Sequence, residues 1–282
     1  MSSPRLVMGA VAYDPKVVTI WEGFRQWLRP RGLDFDFVLY SNYERQVTDL
    51  LAGHIDAAWN SPLAWVRATR LAAASGAVVT ATAMRDTDRD LSSVIVVRAD
   101  SPVQTIGDLV DRRVGSGAVD SPQATLLPLQ LLREAGVSCQ VRRFDVGVGL
   151  HGDHVGGERD AARALMAGDV DAACMIDSNH LTFTREGTLP PGGTRIVGQT
   201  PPFDHCNMTV VDSAPDDAVA RFLELLFAMD YGDATVRTLL DLEGLRKWVP
   251  GRTSGYQQLE QAVDGAGFYD AKGGISAADY AP

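Results

Sequence analysis

The sequence predicts an α/β protein of two lobes, each a doubly wound, mainly parallel sheet, joined by a hinge that the chain crosses twice. Three observations carry this. Strand-like and helix-like runs alternate from the N-terminus onward, the pattern of parallel sheets covered by helices on both faces. A whole αβ unit recurs: Leu50-Leu-Ala-Gly-His-Ile-Asp-Ala-Ala-Trp59 is echoed by Leu165-Met-Ala-Gly-Asp-Val-Asp-Ala-Ala-Cys174, with six of ten positions identical. The stretches from Ala218 to Met229, Thr235 to Leu245 and Gly255 to Val263 read as helices with too few strands for a third sheet, so the chain must return to its first lobe. Lobe one therefore takes residues 1–98 and 199–282, and lobe two takes 99–198.

Arg5 to Ala12 is a short apolar run that reads as a buried strand, ended by the Tyr13-Asp14-Pro15 turn. Asp14 can cap and Pro15 open a helix in which Val18, Trp21, Phe24, Trp27 and Leu28 recur at helical spacing up to Pro30, as a core stripe. Phe35, Phe37 and Leu39 alternate as a second strand, and Tyr43 to Leu51 is a second helix stopped at Gly53. Ile55 to Trp59 is a third strand, after which Asn60-Ser61-Pro62 caps a helix through Trp65 and Leu71, and Ala77 to Met84 and Ser93 to Val97 complete the first block. Val114-Gly-Ser-Gly-Ala-Val-Asp-Ser-Pro122 then repeats the opening logic of strand, small-residue loop and helix start.

The length of 282 residues suits one large unit or two lobes. With 36 acidic against 26 basic residues the formal charge is −10, a field that repels phosphodiester backbones and anionic membranes, so nucleic acid is excluded as a partner. No apolar run approaches the ~20 residues of a membrane span, which excludes membrane insertion. Cys139, Cys174 and Cys206 are too few and too scattered for a disulfide framework. The N-terminus lacks a basic leader and a secretory apolar segment, so the sequence as it stands reads as cytoplasmic; removal of a signal would make it periplasmic or extracellular. Walker A, Gly-x-Ser-x-Gly and His-Glu-x-x-His motifs are absent from the sequence.

The chain resembles the type 2 periplasmic solute-binding fold, and within it the phosphate, phosphite and phosphonate-binding branch of ABC transporter substrate-binding proteins. The resemblance spans nearly the whole chain. It is carried by Leu6 to Tyr13, Leu51 to Trp65, Thr105-Ile-Gly-Asp-Leu109, Arg163 to Ser178, and Leu242 to Pro250 ahead of Tyr256. It implies a small-molecule ligand between the lobes and, for an exported protein, an ABC permease as partner. It also sets Tyr13, Ser61, Ser121 and Asp177 on family site positions.

In doubly wound sheets, strand C-termini and the following helix N-termini line the crevice and favour an anion. Four such loops are expected to converge: Tyr13-Asp14, Asn60-Ser61, Asp120-Ser121 with Gln123, and Asp177-Ser178-Asn179. The family's lobe-two loop offers a run of Ser, Thr and Gly, whereas Val119 to Thr125 offers one Ser, a Pro without an amide hydrogen and a carboxylate. Asp14, Asp120 and Asp177 suit an amine-bearing or metal-bound ligand better than a bare dianion, unless they are N-caps facing their own amides. Trp59 and Trp65 flank the Asn60-Ser61 loop, where one of them can wall the cleft.

His151, His154, His180 and His205 lie in or near lobe two, and Cys206 follows His205. His151, His154, His205 and Cys206, with Asp153 and Asp177, form a candidate set of ligands for a divalent metal such as Zn or Fe. The family's Gly-His-x-x-Ala stretch before this helix makes one of His151 and His154 an alternative ligand-proximal residue. A catalytic Cys206–His205 pair is disfavoured because neighbours on a strand point to opposite faces. The leading expectation is a binding protein that closes on an anionic or zwitterionic ligand, phosphonate-like or carboxylate. The alternative is a metal-dependent cytoplasmic decarboxylase, lyase or hydrolase on the same fold.

Overall fold

The computed structural model describes residues 3–145 and 154–282, in which two separate sheets are built by the same recipe. The first contains β1 (Arg5–Val11), β2 (Asp34–Tyr40), β3 (Ala57–Asn60), β4 (Val79–Arg85), β10 (Asn207–Val211) and β11 (Trp248–Pro250), in the order β11-β4-β10-β3-β1-β2. The second contains β5 (Ser93–Arg98), β6 (Arg113–Ser116), β7 (Gln140–Arg143), β8 (Ala172–Ile176) and β9 (Thr194–Gln199), in the order β7-β6-β8-β5-β9. In each sheet the second, first and third strands lie side by side and parallel, and one reversed strand separates the third from the fourth.

Those reversed strands, β10 and β5, are the first strands the chain makes after crossing from the other sheet. The apolar run Ser93 to Val97, expected to finish the first block, therefore pairs with β8 and β9 of the second sheet. Its composition says only that it is buried; which sheet buries it depends on where the chain has crossed.

The helices are α1 (Lys16–Leu28), α2 (Tyr43–Leu51), α3 (Pro62–Ser75), α4 (Leu127–Glu134), α5 (His154–Ala167), α6 (Asp177–Arg185), α7 (Asp216–Phe227), α8 (Ala234–Glu243) and α9 (Gln257–Ala266). The α1 stripe of Val17, Ile20, Trp21, Phe24 and Leu28 is buried against the first sheet, where Trp21, Phe24, Trp59 and Trp248 form an edge-to-face aromatic cluster. Val18, counted in the expected stripe, is exposed. β7, β9 and β11 are not legible in the sequence, because β7 and β9 are edges with exposed or half-buried polar residues and β11 is only three residues long.

The internal repeat has a physical cause. Asp56 Oδ2 accepts from the Val7 amide at 2.7 Å, and its own amide donates to Val7 O at 2.8 Å. Asp171 does the same to Arg113, at 2.9 and 2.8 Å. In both copies the Asp locks the third strand to the first, and the preceding glycines, Gly53 and Gly168, hold φ of 71° and 80° to stop the helix.

The two crossings lie antiparallel and are bonded to each other. Leu91 and Phe203 exchange backbone hydrogen bonds of 2.9 and 2.7 Å, and the His205 amide donates to Asp88 O at 2.8 Å. Arg252 ties both crossings, donating to both oxygens of buried Asp204 at 2.7 and 2.6 Å and to Asp90 at 2.7 Å. Gly255 packs so closely that a Cβ there would lie 2.2 Å from Asp204 Cγ. The C-terminal α9 packs on α3 and α4 through Leu259, Ala262 and Val263, so it bridges helices of both sheets rather than returning to the first alone.

Replacing Asp56 with Ala should lower unfolding free energy by about 1–3 kcal/mol, because the Val7 amide loses a charged partner. Urea denaturation of D56A and D171A measures this, and the half-exposed Asp171 should cost less.

Candidate functional site

Each pair of neighbouring strands delivers two of the expected loops to one end of its sheet. In the first lobe β1 and β3 lead to Tyr13-Asp14 and Asn60-Ser61; in the second β6 and β8 lead to Asp120-Ser121 and Asp177-Asn179. Tyr43 stands at the start of α2 and packs against the core of the first lobe. Burial pushes its phenol well above the ordinary value, and Cys206, Tyr13 and Asp120 reinforce the shift while Arg85 opposes it.

Ser61 and Ser121 are matched N-caps, each ahead of a proline, and accept from Ala64 N and Ala124 N at 3.2 Å. Each hydroxyl keeps its proton to donate. Gly117 approaches this cap so closely that a Cβ there would stand 2.9 Å from Ala124 Cβ. Asp120 is buried with His154 Nε2 3.5 Å from its Oδ1. Gln123 donates to Glu158 Oε1 at 3.0 Å, and Asn179 donates to Glu158 Oε2 at 2.9 Å. Tyr13 is half-buried, and its phenol is raised by burial first and then by Glu243 and Cys206.

Other expected site residues have local or structural roles. Asp14 is exposed and accepts from Lys16 N at 2.8 Å, a local bond just ahead of α1. Asp177, the first residue of α6, accepts from Ser178 N at 2.6 Å, again a local bond, with Ser178 itself exposed. Asn60 is buried with its amide tied at both ends, accepting from Gln46 and donating to Thr209 at 2.8 Å each. Trp59 and Trp65 are also buried: Trp59 lies beneath Arg85, whose guanidinium is 5.3 Å from its ring, and Trp65 packs on Tyr256. His180 bonds Thr194 at 2.9 Å.

The expected metal set does not assemble as one cluster among the described residues. His151 and Asp153 lie outside them, His154 sits with Asp120, and His205 and Cys206 sit with Asp88. The ligand atoms of Asp88, His205 and Cys206 lie within 4.8 Å of one another. Both Asp88 oxygens, however, are held by Arg85 at 2.7 Å in a bidentate pair, which a metal ion would have to displace. His205 Nδ1 and Cys206 Sγ are 3.1 Å apart, contrary to the strand argument, because β10 begins only at Asn207 and residues 204–206 need not alternate. Burial, reinforced by Asp88, pushes the Cys206 thiol up, so it stays protonated and is a poor nucleophile.

Sequence reasoning missed the buried charged groups. Arg85 joins Asp88 to Glu243, donating to Glu243 O at 2.8 Å and lying 3.4 Å from its carboxylate. Glu44 accepts from Tyr269 and Tyr280 at 2.7 and 3.0 Å, which brings the C-terminal segment onto α2, while Asp279 pairs with Arg143 of β7. Glu158 had a readable signal: Gly157-Glu158-Arg159-Asp160-Ala161 has the Gly-His-x-x-Ala spacing with Glu in the His place, whereas neither His151 nor His154 stands at that spacing.

Comparison with known proteins supplies the family. The family model described as "ABC transporter, phosphonate, periplasmic substrate-binding protein" matches residues 9–256. The chain belongs to this family. It is 24% identical over 225 residues to the phosphate-import protein PhnD of Mycolicibacterium smegmatis, a match covering 78% of this chain and 66% of that one, just under two thirds of its length. Among solved structures, PhnD1 from Prochlorococcus marinus in complex with methylphosphonate superposes with a TM-score of 0.68 at 16% identity, covering 93% and 98% of the two chains. XAC2383 from Xanthomonas citri, bound to chloride, gives 0.69 at 17% identity, covering 92% and 97%. These likenesses support the two-lobed fold. No helix among the described residues is long and apolar enough to cross a membrane.

Two carboxyls of the Arg85 network titrate in opposite senses. Burial pushes Glu243 up to about 7, with Arg85 opposing, whereas for Asp88 the charge and hydrogen bonds of Arg85 outweigh burial and hold it at about 2. Folded Glu243 thus binds a proton that the unfolded chain has released, and stability should fall as pH rises from about 4.5 to about 7, on the order of 2 kcal/mol. Asp88 has the reverse sign: its contribution is present above about pH 4 and is lost as pH falls through about 2. Denaturation midpoints measured across this range should flatten between pH 4.5 and 7 in E243Q.

Proposed function

We propose that this protein is the solute-capturing component of an ABC importer, acting outside the cytoplasmic membrane. It closes on a small anionic or zwitterionic ligand, phosphonate-like or carboxylate, and presents it to the permease. The observation that carries this reading is the family match over residues 9–256, on a chain whose lobes are joined by two paired crossings beside the strand ends. The family's description as periplasmic supports a location outside that membrane rather than the cytoplasm.

Ser61 and Ser121, with the amides of the turns they cap, are assigned to the anionic group, and Tyr13 and Tyr43 are hydroxyl donors at the same cleft. Asp120 is assigned to a cationic group of the ligand. We assign lobe one to residues 1–85 and 207–250 and lobe two to residues 93–199, with α9 spanning both. We further infer that the cleft works without a resident metal, because Arg85 already neutralises Asp88.

Calorimetry with inorganic phosphate, phosphite, methylphosphonate and 2-aminoethylphosphonate should give saturable heat with at least one, and no heat with any of them would overturn the ligand class. S121A should weaken the best of these about tenfold or more, by removing a donor and loosening the turn. Metal analysis of untagged protein should find under about a tenth of an equivalent of Zn or Fe; a near-stoichiometric metal lost in H205A would contradict the metal-free reading.

A further inference from the structure

Glu158 lies one turn into α5, fully buried, and its carboxylate reaches both ligand-facing loops of the second lobe. Oε1 accepts from Gln123 in the loop after β6, while Oε2 accepts from Asn179 and from the Ile176 amide, at 2.9 Å each, where β8 gives way to α6. Among its described partners, nothing basic contacts it directly; His154, on the same helix, acts on it only through space. Burial raises its carboxyl, and the three hydrogen bonds work against that rise.

Both oxygens of Glu158 act as acceptors in the structure. Gln123 and Asn179 must therefore both turn their N–H groups toward Glu158, which commits their carbonyl oxygens to other partners. Gln123 Oε1 has none among the described residues, although the side chain is only 4% exposed. An unpaired buried acceptor destabilises the ligand-free site, and a ligand donor removes that cost on binding. Asp120, three residues earlier and also buried, adds a second acceptor to the same loop.

We propose that Glu158 joins the two ligand-facing loops of the second lobe and sets their specificity: by taking the N–H groups of Gln123 and Asn179, it leaves acceptors that select a ligand carrying a protonated amine beside its anionic group. This rests on the reading of the cleft as a solute site. A bare dianion would approach the carboxylates of Asp120 and Glu158, which repel it more than they repel a ligand that carries an amine.

The test compares 2-aminoethylphosphonate with ethylphosphonate, which differ by the amine alone, by calorimetry on wild type, E158Q and Q123L. Wild type should prefer the amine by about tenfold or more, and both variants should bring that ratio toward one. A ratio unchanged in E158Q would overturn the proposal. Hydrogen–deuterium exchange of the ligand-free proteins is the second arm: E158Q should speed exchange in both the 118–126 and 175–180 segments, and unchanged protection in both would overturn it. If neither phosphonate binds wild type, the solute-site reading fails in its ligand class, and the exchange arm decides the role of Glu158 in joining the loops.

Discussion

The fold depends on a short antiparallel pairing between two connecting segments, residues 86–92 and 200–206. The Leu91–Phe203 bridge holds them side by side, and Arg252 anchors Asp90 on one and Asp204 on the other. Because each crossing ends in the reversed strand of the sheet it enters, this pairing fixes where β5 and β10 start and hence how each sheet is wedged open between its third and fourth strands. Arg85, at the end of β4, continues the same stitching by clamping Asp88, whose Oδ1 also accepts from the Cys206 amide at 3.3 Å. Hinge and cleft wall are thus one charged network, in which each buried carboxylate is tolerable only because an arginine or several donors answer it.

The two lobes contribute unlike chemistry to the cleft. In the proposed site the first brings tyrosines and the half-buried Arg85, already balanced by Asp88 and Glu243. There the second brings Ser121 with the amides of its turn, together with Asp120 and the buried carbonyl oxygen of Gln123. On the proposed assignment, a ligand that carries only negative charge satisfies one side of this arrangement and a zwitterion satisfies both. The C-terminal segment adds a further tie across the lobes, with Tyr280 bonded to Glu44 and Asp279 to Arg143.

Much of this is legible in the sequence where the cause is local. The Ala-Gly-x-(Ile/Val)-Asp-Ala-Ala echo marks a helix stop and an Asp that pins one strand to another, and both copies do that in the structure. The Ser-Pro pairs at 61–62 and 121–122 announce helix starts, and both serines cap them. The strand at Ser93 shows the limit, since its apolar run proves burial and says nothing about which sheet it joins. Buried charges are harder still. Glu158 and Glu243 look like solvent-facing residues in their local sequence, and their partners stand 18 to 158 positions away. Asn60 errs in the opposite direction: it stands at a strand end, where ligand-binding residues gather, yet Gln46 and Thr209 take its amide into the core.

The most direct test of the account is the distance between lobes. Spin labels on exposed Arg45 of α2 and exposed Leu181 of α6, in a chain with Cys139 replaced by Ser, report it by pulsed electron paramagnetic resonance. Excess 2-aminoethylphosphonate should shorten and narrow the distance distribution, as closure about the paired crossings requires. A distribution unchanged by the ligand would contradict the claim that the lobes close on a solute.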